Sequence, residues 1–278
     1  MDKILQKKQE FISYCLQKDT KIPSLPIINP KSKLEAVLIE FRLLSHLSFI
    51  IKNAIYRLGS NWAFTIVCGN NNYDYLVNLK KNINRDIRII RLDIDNMTRE
   101  DYSIMLLSSD FYKRFHGEKL LIYQEDTIIL KPLPPYFLQF DYIGAPFSNK
   151  EIGNGGLSLR SRNTMIQICE RFFDPKKKEI ERIAMLVNTY KIKMKKKYSD
   201  TYFNKPNLFF FYKLEENILE DLQITNKMRH YQIGKLPSFE EAKQFSIEKF
   251  YDENAFGGHQ FWYSMDNVTN WLNKKLGY

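Results

Sequence analysis

The chain is poor in cysteine and has no long apolar run. Its 278 residues contain three cysteines, Cys15, Cys68 and Cys169, which are too few and too widely spaced for a disulfide framework or a thiolate zinc site. No stretch approaches the roughly 18 uninterrupted apolar residues that a membrane-spanning helix needs, and the polar N-terminus lacks the apolar segment of a signal peptide. We therefore expect a soluble, cytoplasmic protein with reduced thiols.

Acidic residues are outnumbered, because 42 Lys and Arg face 32 Asp and Glu and leave a net charge of +10. Such a balance favours anionic partners, but it does not choose among nucleotides, nucleic acid and acidic membranes. Much of the excess lies in lysines between residues 176 and 197, so the charge forms a local patch.

The order of the predicted elements indicates an α/β fold. Apolar residues at helical spacing predict a helix over residues 3–18, and prolines follow it, so residues 1–30 are interpreted as an N-terminal helical extension. Residues 31–278 are expected to form one domain, with a mostly parallel sheet flanked by helices. Its predicted elements are strands at 36–39, 62–68, 87–92 and 119–123 and helices at 46–58, 73–82 and 98–115. A lysine-rich helical insertion at about 174–213 interrupts this alternation.

Polar residues cluster where the predicted strands end. In open parallel sheets, ligands bind outside the carboxyl ends of the strands, which makes Glu40, Arg42 and Asn70 candidates for nucleotide binding. Glu125 and Asp126 interrupt the apolar run of the fourth strand. Buried carboxylates need a partner, and one carboxylate with phosphate oxygens is a common way to hold Mg²⁺ or Mn²⁺. Asp126 is the predicted metal ligand, with a surface salt bridge as the alternative, whereas Glu125 could contact the donor or belong to a salt-bridged scaffold.

Two glycine-rich loops could bring backbone close to the same ligand. Asn154, Gly155 and Gly156 belong to the first loop, and glycine there would leave room for a sugar or a phosphate. The second loop places His259 after two glycines, so this histidine could complete a metal or diphosphate site.

Several motifs together resemble a little-characterised family of GT-A-like glycosyltransferases. They lie at residues 123–127, 141–146, 153–160, 236–248 and 256–262, and the resemblance covers about residues 34–173 and 214–265. It implies a Rossmann-like domain that binds a nucleotide sugar, usually with Mn²⁺ or Mg²⁺, and that has an Asp-x-Asp motif at the acidic strand end. Gln124 replaces the first acid of that motif, which leaves Asp126 as the principal ligand. The resemblance also implies a carboxylate base near a late helix, with Asp221 as first choice, Glu220 as second and Glu216 as a close alternative; a solvated helix face would explain the same acids.

We therefore expect a metal-assisted glycosyltransferase that moves a sugar from a nucleoside diphosphate to a hydroxyl of an unknown glycan, protein or lipid. The lysine-rich insertion could contact an acidic acceptor or a membrane surface. A basic nucleic-acid-binding protein is the alternative from another class, although no specific nucleic acid is expected; a nucleotide-sugar-binding protein without transferase activity is the other alternative.

Overall fold

The computed structural model describes residues 3–149, 151–174 and 219–278. Its strands are β1 Leu34–Ile39, β2 Ala63–Cys68, β3 Arg88–Arg91, β4 Lys119–Tyr123, β5 Thr127–Ile129, β6 Tyr142–Gly144, β7 Leu157–Ser161, β8 Ser246–Ile247 and β9 Gly257–His259. Its helices are α1 Lys3–Lys18, α2 Leu47–Leu58, α3 Tyr73–Ile83, α4 Arg99–Leu106, α5 Ser109–Lys113, α6 Arg162–Phe172, α7 Glu220–Tyr231, α8 Phe239–Phe245 and α9 Val268–Leu276. Short 3-10 helices occupy Pro135–Gln139 and Phe261–Ser264.

The main sheet has the strand order β3-β2-β1-β4-β7-β6. Strands β1 to β4 pair in parallel, whereas β7 runs antiparallel to both β4 and β6. This confirms the predicted α/β fold with a mostly parallel sheet flanked by helices. From β1 the chain proceeds outward to β2 and β3 on one side and then returns to β4 on the other. The carboxyl ends of β1 and β4 therefore border the crevice where open α/β sheets bind ligands.

Apolar side chains fill both faces of this sheet. Along β1, Ala36 and Leu38 belong to one hydrophobic cluster, while Val37 and Ile39 belong to the cluster on the opposite face. Successive side chains of a strand point to opposite faces, so a strand covered by helices on both sides needs a continuous apolar run. The uninterrupted apolar sequences that predicted these strands have this physical origin.

The acidic pair does not interrupt one strand, as the sequence suggested. Strand β4 ends at Tyr123, and β5 belongs to a second sheet in which β9 lies between β5 and β8. The corner at residues 124–126 therefore connects two sheets, and the register of the second sheet pairs Thr127 with His259. Asp126 and His259 are brought together by this pairing.

The predicted helix over residues 98–115 is wrong in length, because α4 and α5 replace it. At the start of α4, Thr98 and Asp101 form a reciprocal capping box. Leu106 and Phe115 are both buried in the same hydrophobic cluster. In one continuous helix, a separation of nine residues would place them on opposite sides, so the chain bends between the two helices.

The predicted helix over residues 3–18 is confirmed by α1, which packs on the core. Phe11, Tyr14 and Cys15 on this helix are buried, and its contacts are with α2, α9 and the 3-10 helix Phe261–Ser264. The lysine-rich insertion, apart from its first residue, lies outside the described residues. Within the described ranges, no helix has both the length and the apolar character that crossing a bilayer requires.

Candidate functional site

Arg42 lies just beyond the carboxyl end of β1 and is held there by Glu40. Its Nε donates to Glu40 Oε1 at 2.8 Å, and its Nη2 donates to Oε2 at 2.7 Å. The backbone amides of Phe41 and Arg42 donate to the same Oε1. Glu40 is buried, whereas about half of the Arg42 side chain is exposed. The hydrogen bonds from Arg42 to Glu40 raise the pKa of the guanidinium, so Arg42 is a fixed positive charge at the crevice.

Glu125 has a carboxylate whose two oxygens are occupied by protein groups. Oε1 accepts from Lys8 Nζ at 2.9 Å and from Arg42 Nη2 at 3.3 Å, while Oε2 lies 2.9 Å from His46 Nε2. Burial by itself raises the pKa of Glu125, but the hydrogen bonds from His46 and Lys8 outweigh burial and lower it. Of the two roles that the sequence left open, this geometry favours the salt-bridged scaffold.

Asp126 faces His259 across the corner between the two sheets. Asp126 Oδ1 and His259 Nε2 are buried and form an ion pair at 3.3 Å, and neither atom has a further hydrogen-bond partner within the described part of the chain. Asp126 Oδ2 accepts from Gln260 Nε2 at 2.8 Å, and the Asp126 carbonyl accepts from the Gln260 amide. Burial opposes ionisation of both groups, but their mutual attraction lowers the pKa of Asp126 and raises that of His259 to about 10.

The second ring nitrogen of His259 is directed at another carboxylate. His259 Nδ1 lies 3.9 Å from Glu248 Oε2, which is too long for a hydrogen bond. A carboxylate behind the non-ligating nitrogen of a histidine is a frequent feature of metal sites, where it fixes the orientation of the ring. Glu248 therefore lies where it can orient His259 toward Asp126.

The first glycine loop lies against His259. A Cβ placed on Gly156 would come within 3.0 Å of three imidazole atoms, so no larger residue fits there without displacing the ring. The amide of Gly156 donates to Asn154 Oδ1 at 2.9 Å, and Thr127 Oγ1 donates to the Gly156 carbonyl at 3.2 Å. Asn154 therefore shapes the loop, and Gly156 leaves the space that the histidine occupies.

Asp221 binds the neighbouring glycine of this loop. Its Oδ2 accepts from the Gly155 amide at 2.9 Å, and its Oδ1 accepts from the Leu222 amide at 2.7 Å in the first turn of α7. Burial, followed by repulsion from Glu220, raises the pKa of Asp221 to about 7. Asp221 is therefore partly ionised near neutral pH and lies one loop residue away from the Gly156–His259 contact.

Glu220 belongs to a buried polar cluster beneath the same loop. Arg160 is fully buried, and its Nη2 donates to Glu220 Oε1 at 3.2 Å. Arg160 also donates to Tyr112 and to Ser158, each at 2.9 Å. A Cβ on Gly155 would lie 2.7 Å from Glu220 Oε1 and 2.9 Å from Arg160 Nη2, so this ion pair packs directly against the glycine loop.

The structure thus brings most of the predicted residues to one region, with two exceptions. Asn70 accepts from Arg91 Nε at 2.8 Å and donates to Asp93 at 3.2 Å, so it engages the end of β3 and not the Arg42–Glu125 group. Glu216 lies outside the described residues.

Five residues that sequence reasoning did not select as candidates also support the site, namely Lys8, His46, Asn72, Arg160 and Gln260. Asn72 is fully buried and connects the ends of β1 and β2, because it donates to the Glu40 carbonyl and accepts from the Gly69 amide. Arg160 had a signal in its alternation with the apolar residues of β7. Lys8 and His46 had none, since their contacts depend on the packing of distant segments.

The donor set at Asp126 and His259 suits a divalent ion whose remaining ligands come from elsewhere. No group of three or more His, Cys, Asp or Glu side chains that could hold a metal occurs among the described residues. Mg²⁺ and Mn²⁺ commonly use only one or two protein ligands together with substrate phosphates and water. Cis ligands of an octahedral ion with bonds of about 2.1 Å lie about 3 Å apart, close to the observed 3.3 Å. The spacing of these two atoms therefore fits such an ion, which would take the place of their direct contact.

Comparisons with known proteins identify a family and show a distant likeness to solved structures. The model of a family described as "Protein of unknown function (DUF5672)" matches residues 86–259, more than half of the chain. The chain belongs to this family. The part of this DUF5672 protein that matches includes Asp126, Gly156 and Asp221 and ends at His259. No curated protein matches the chain.

The chain is also similar to a solved structure, the apo-form glycosyltransferase GlyE of Streptococcus pneumoniae TIGR4. The TM-score is 0.45 and the sequence identity is 12%, over 82% of this chain and 54% of that one. The DUF5672 chain therefore spans about half the length of that structure.

Proposed function

We propose that this protein is a GT-A-like glycosyltransferase that moves a sugar from a nucleoside diphosphate to an acceptor hydroxyl. The observation that carries the proposal is the buried Asp126–His259 pair, whose facing atoms lie 3.3 Å apart and have no hydrogen-bond partner other than each other among the described residues. The pair lies at the carboxyl end of β4, where the fold creates a ligand crevice. Residues of the motifs at 123–127, 153–160 and 256–262 contact one another at the same corner.

Asp126 and His259 would hold Mn²⁺ or Mg²⁺ at this corner. When bound, the ion would neutralise charge on the diphosphate oxygens of the donor and of the departing nucleotide. Gln260 holds the other oxygen of Asp126, and Gly156 leaves room for the imidazole. Both residues therefore keep the two ligands facing one another.

Arg42 is a predicted donor-binding residue with a free hydrogen-bonding group. Its Nε and Nη2 are bound to Glu40 and Glu125, whereas no described residue accepts a hydrogen bond from Nη1. A half-exposed guanidinium fixed on one edge can bind an anionic group with its other edge. In this proposal Arg42 binds the nucleotide part of the donor, and Glu40 and Glu125 hold Arg42 in place.

Asp221 is the proposed base that removes the proton of the acceptor hydroxyl. Proton transfer is most efficient when the pKa of the base lies near the working pH, and the pKa of Asp221 is raised to about 7. Glu220 is less suited, because it is paired with the positive charge of the buried Arg160, whereas Asp221 accepts from two neutral backbone amides. Asp221 also borders the glycine loop that contacts His259.

The proposal is tested with a panel of nucleoside-diphosphate sugars and Mn²⁺. Release of nucleotide and the donor-induced shift in melting temperature are measured for the wild type, Asp126→Asn and the exposed control Asp266→Asn. We expect one donor to stabilise the wild type and to be slowly hydrolysed, with the control unchanged and Asp126→Asn at least ~100-fold slower.

Three outcomes would contradict the proposal in different ways. A donor that binds but is never consumed, even with added acceptors, would indicate a nucleotide-sugar-binding protein without transferase activity. If no donor binds and none is consumed, the glycosyltransferase proposal fails. Full activity in Asp126→Asn would remove Asp126 from the site.

A further inference from the structure

Helix α1 contacts Glu125 itself and residues that neighbour the partners of Glu125 and Asp126. Lys8 Nζ binds Glu125 Oε1 at 2.9 Å. One turn further along, the ring of Phe11 packs edge-on against His46, with centroids 6.3 Å apart, and against Phe261, with centroids 5.4 Å apart. His46 is the second partner of Glu125, and Phe261 follows the Gln260 that binds Asp126.

The position of Lys8 is determined by the burial of its helix. Phe11 and Cys15 have no exposed surface, so the backbone of α1 is anchored in the core on the side that carries Lys8. About a third of the Lys8 side chain is exposed, whereas almost none of Glu125 is. Lys8 therefore brings a positive charge from the N-terminal helix to a buried carboxylate at the border of the crevice.

Lys8 and Arg42 share one acceptor, the Oε1 atom of Glu125. Both residues donate to the same Oε1 of Glu125, Lys8 at 2.9 Å and Arg42 at the longer distance of 3.3 Å. Arg42 is bound more closely to Glu40, at 2.7 and 2.8 Å. Arg42 is therefore aligned with Glu40, while Lys8 makes the closer contact with Oε1 of Glu125.

We propose that Lys8 is a positioning residue for the donor and that α1 is an integral part of the donor site. Lys8 acts through Glu125: it keeps Arg42 oriented by Glu40, so that Nη1 remains available to an anionic group of the nucleotide. The inference rests on the proposed function, because it assumes that Arg42 binds the nucleotide donor.

The test measures Kd by calorimetry for UDP, GDP and ADP, each with Mn²⁺, on the whole 278-residue chain. Lys8→Met removes the charge and keeps most of the side-chain length, Lys8→Arg restores the charge, and Lys3→Met is an exposed control on the same helix. Circular dichroism confirms that each variant is folded at the working temperature. We expect binding about tenfold weaker in Lys8→Met, nearly normal in Lys8→Arg and unchanged in Lys3→Met.

A second comparison separates positioning from direct contact with the nucleotide. In a Glu125→Gln background, Lys8→Met should cause no further loss, because residues that act through one another are not additive. If Lys8→Met weakens nucleotide binding equally in the wild-type and Glu125→Gln backgrounds, the inference is overturned. Nucleotide binding of normal affinity in Lys8→Met would also overturn it, and so would binding by Lys8→Arg that is as weak as binding by Lys8→Met. If the wild type binds none of the three nucleotides, the proposed function fails and this inference fails with it.

Discussion

Replacing Gly156 by alanine should disable the proposed metal centre without changing the fold. Gly156 is not among the glycines with positive φ, so its backbone conformation accepts alanine. The added Cβ, however, would fall within 3.0 Å of Nε2, Cδ2 and Cε1 of His259. The substitution therefore acts on the imidazole and not on the backbone.

The size of the effect follows from the contact distances. Carbon atoms pack at about 3.5 Å or more, so the imidazole has to move by roughly 1 Å to accommodate the methyl group. Metal–ligand distances hold within about 0.2 Å, and this movement exceeds that tolerance several-fold. We expect the affinity for Mn²⁺ to fall by at least ~100-fold and the free energy of unfolding to fall by about 1–3 kcal/mol, as in overpacked cores.

Calorimetric titration with MnCl₂ and urea denaturation measure the two effects. The matched control is the same substitution in a His259→Ala background, where the methyl group finds the space that the imidazole has left. There, Gly156→Ala should cost little stability and should change Mn²⁺ binding no further. Wild-type Mn²⁺ affinity in the single Gly156→Ala variant would refute the assignment of His259 as a ligand.

Three further predictions concern the base, the support of Asp126 and the N-terminal helix. The folded protein raises the pKa of Asp221 to about 7, whereas the ordinary value of an aspartate is near 4. Between these two pH values, the folded protein keeps a proton on Asp221 that the unfolded chain releases. Stability should therefore fall as the pH rises through this window, by on the order of 4 kcal/mol. Asp221→Asn should remove that part of the slope in urea denaturation at pH 5 and pH 8, and an unchanged slope would contradict the raised pKa. In the wild type, transfer should increase with pH through about 7, because only the ionised carboxylate accepts a proton. Gln260→Ala removes the 2.8 Å hydrogen bond to Asp126, and Mn²⁺ affinity measured by calorimetry should fall about tenfold; unchanged affinity would show that Gln260 does not orient this carboxylate. Phe11→Ala should cost about 3–5 kcal/mol in urea denaturation because Phe11 is fully buried, whereas the half-exposed Leu16 should tolerate alanine within about 0.5 kcal/mol; equal effects would show that α1 is not anchored in the core.

The central strands of the main sheet could be predicted from the sequence because β1, β2 and β4 are buried on both faces. A continuous apolar run followed by polar residues indicates both the strand and its end, as for β1 with Glu40 and Arg42. The second sheet could not be predicted in the same way. Strands β5, β8 and β9 contain two or three residues each, and their pairing depends on contacts between segments far apart in the chain.

The candidate site could likewise be predicted from the sequence only in part. Asp126 and His259 could each be selected from local signals, namely a carboxylate in an apolar run and a histidine after two glycines. Their proximity depends on the pairing of β5 with β9, and the family resemblance alone linked Asp221 to the same centre. Lys8 and His46 could not be found, because nothing near them in the sequence shows that α1 and α2 meet at Glu125.

The partners of Glu125 explain why the sequence alone did not show whether this residue contacts the donor or belongs to a salt-bridged scaffold. A carboxylate next to a predicted metal ligand has the same local pattern whether it faces the ligand or the protein. Its three partners come from α1, from the loop after β1 and from the start of α2. Only their positions in the fold distinguish the two roles.

The central claim is that Asp126 and His259 hold a divalent ion at the diphosphate of the donor. The most direct measurement is anomalous diffraction at the manganese edge from crystals grown with MnCl₂ and the nucleoside diphosphate that binds most tightly. We expect one strong peak bonded to both Asp126 and His259 and to the nucleotide. A nucleotide bound without a peak there, or manganese bound to other carboxylates while Asp126 and His259 remain in contact, would contradict it.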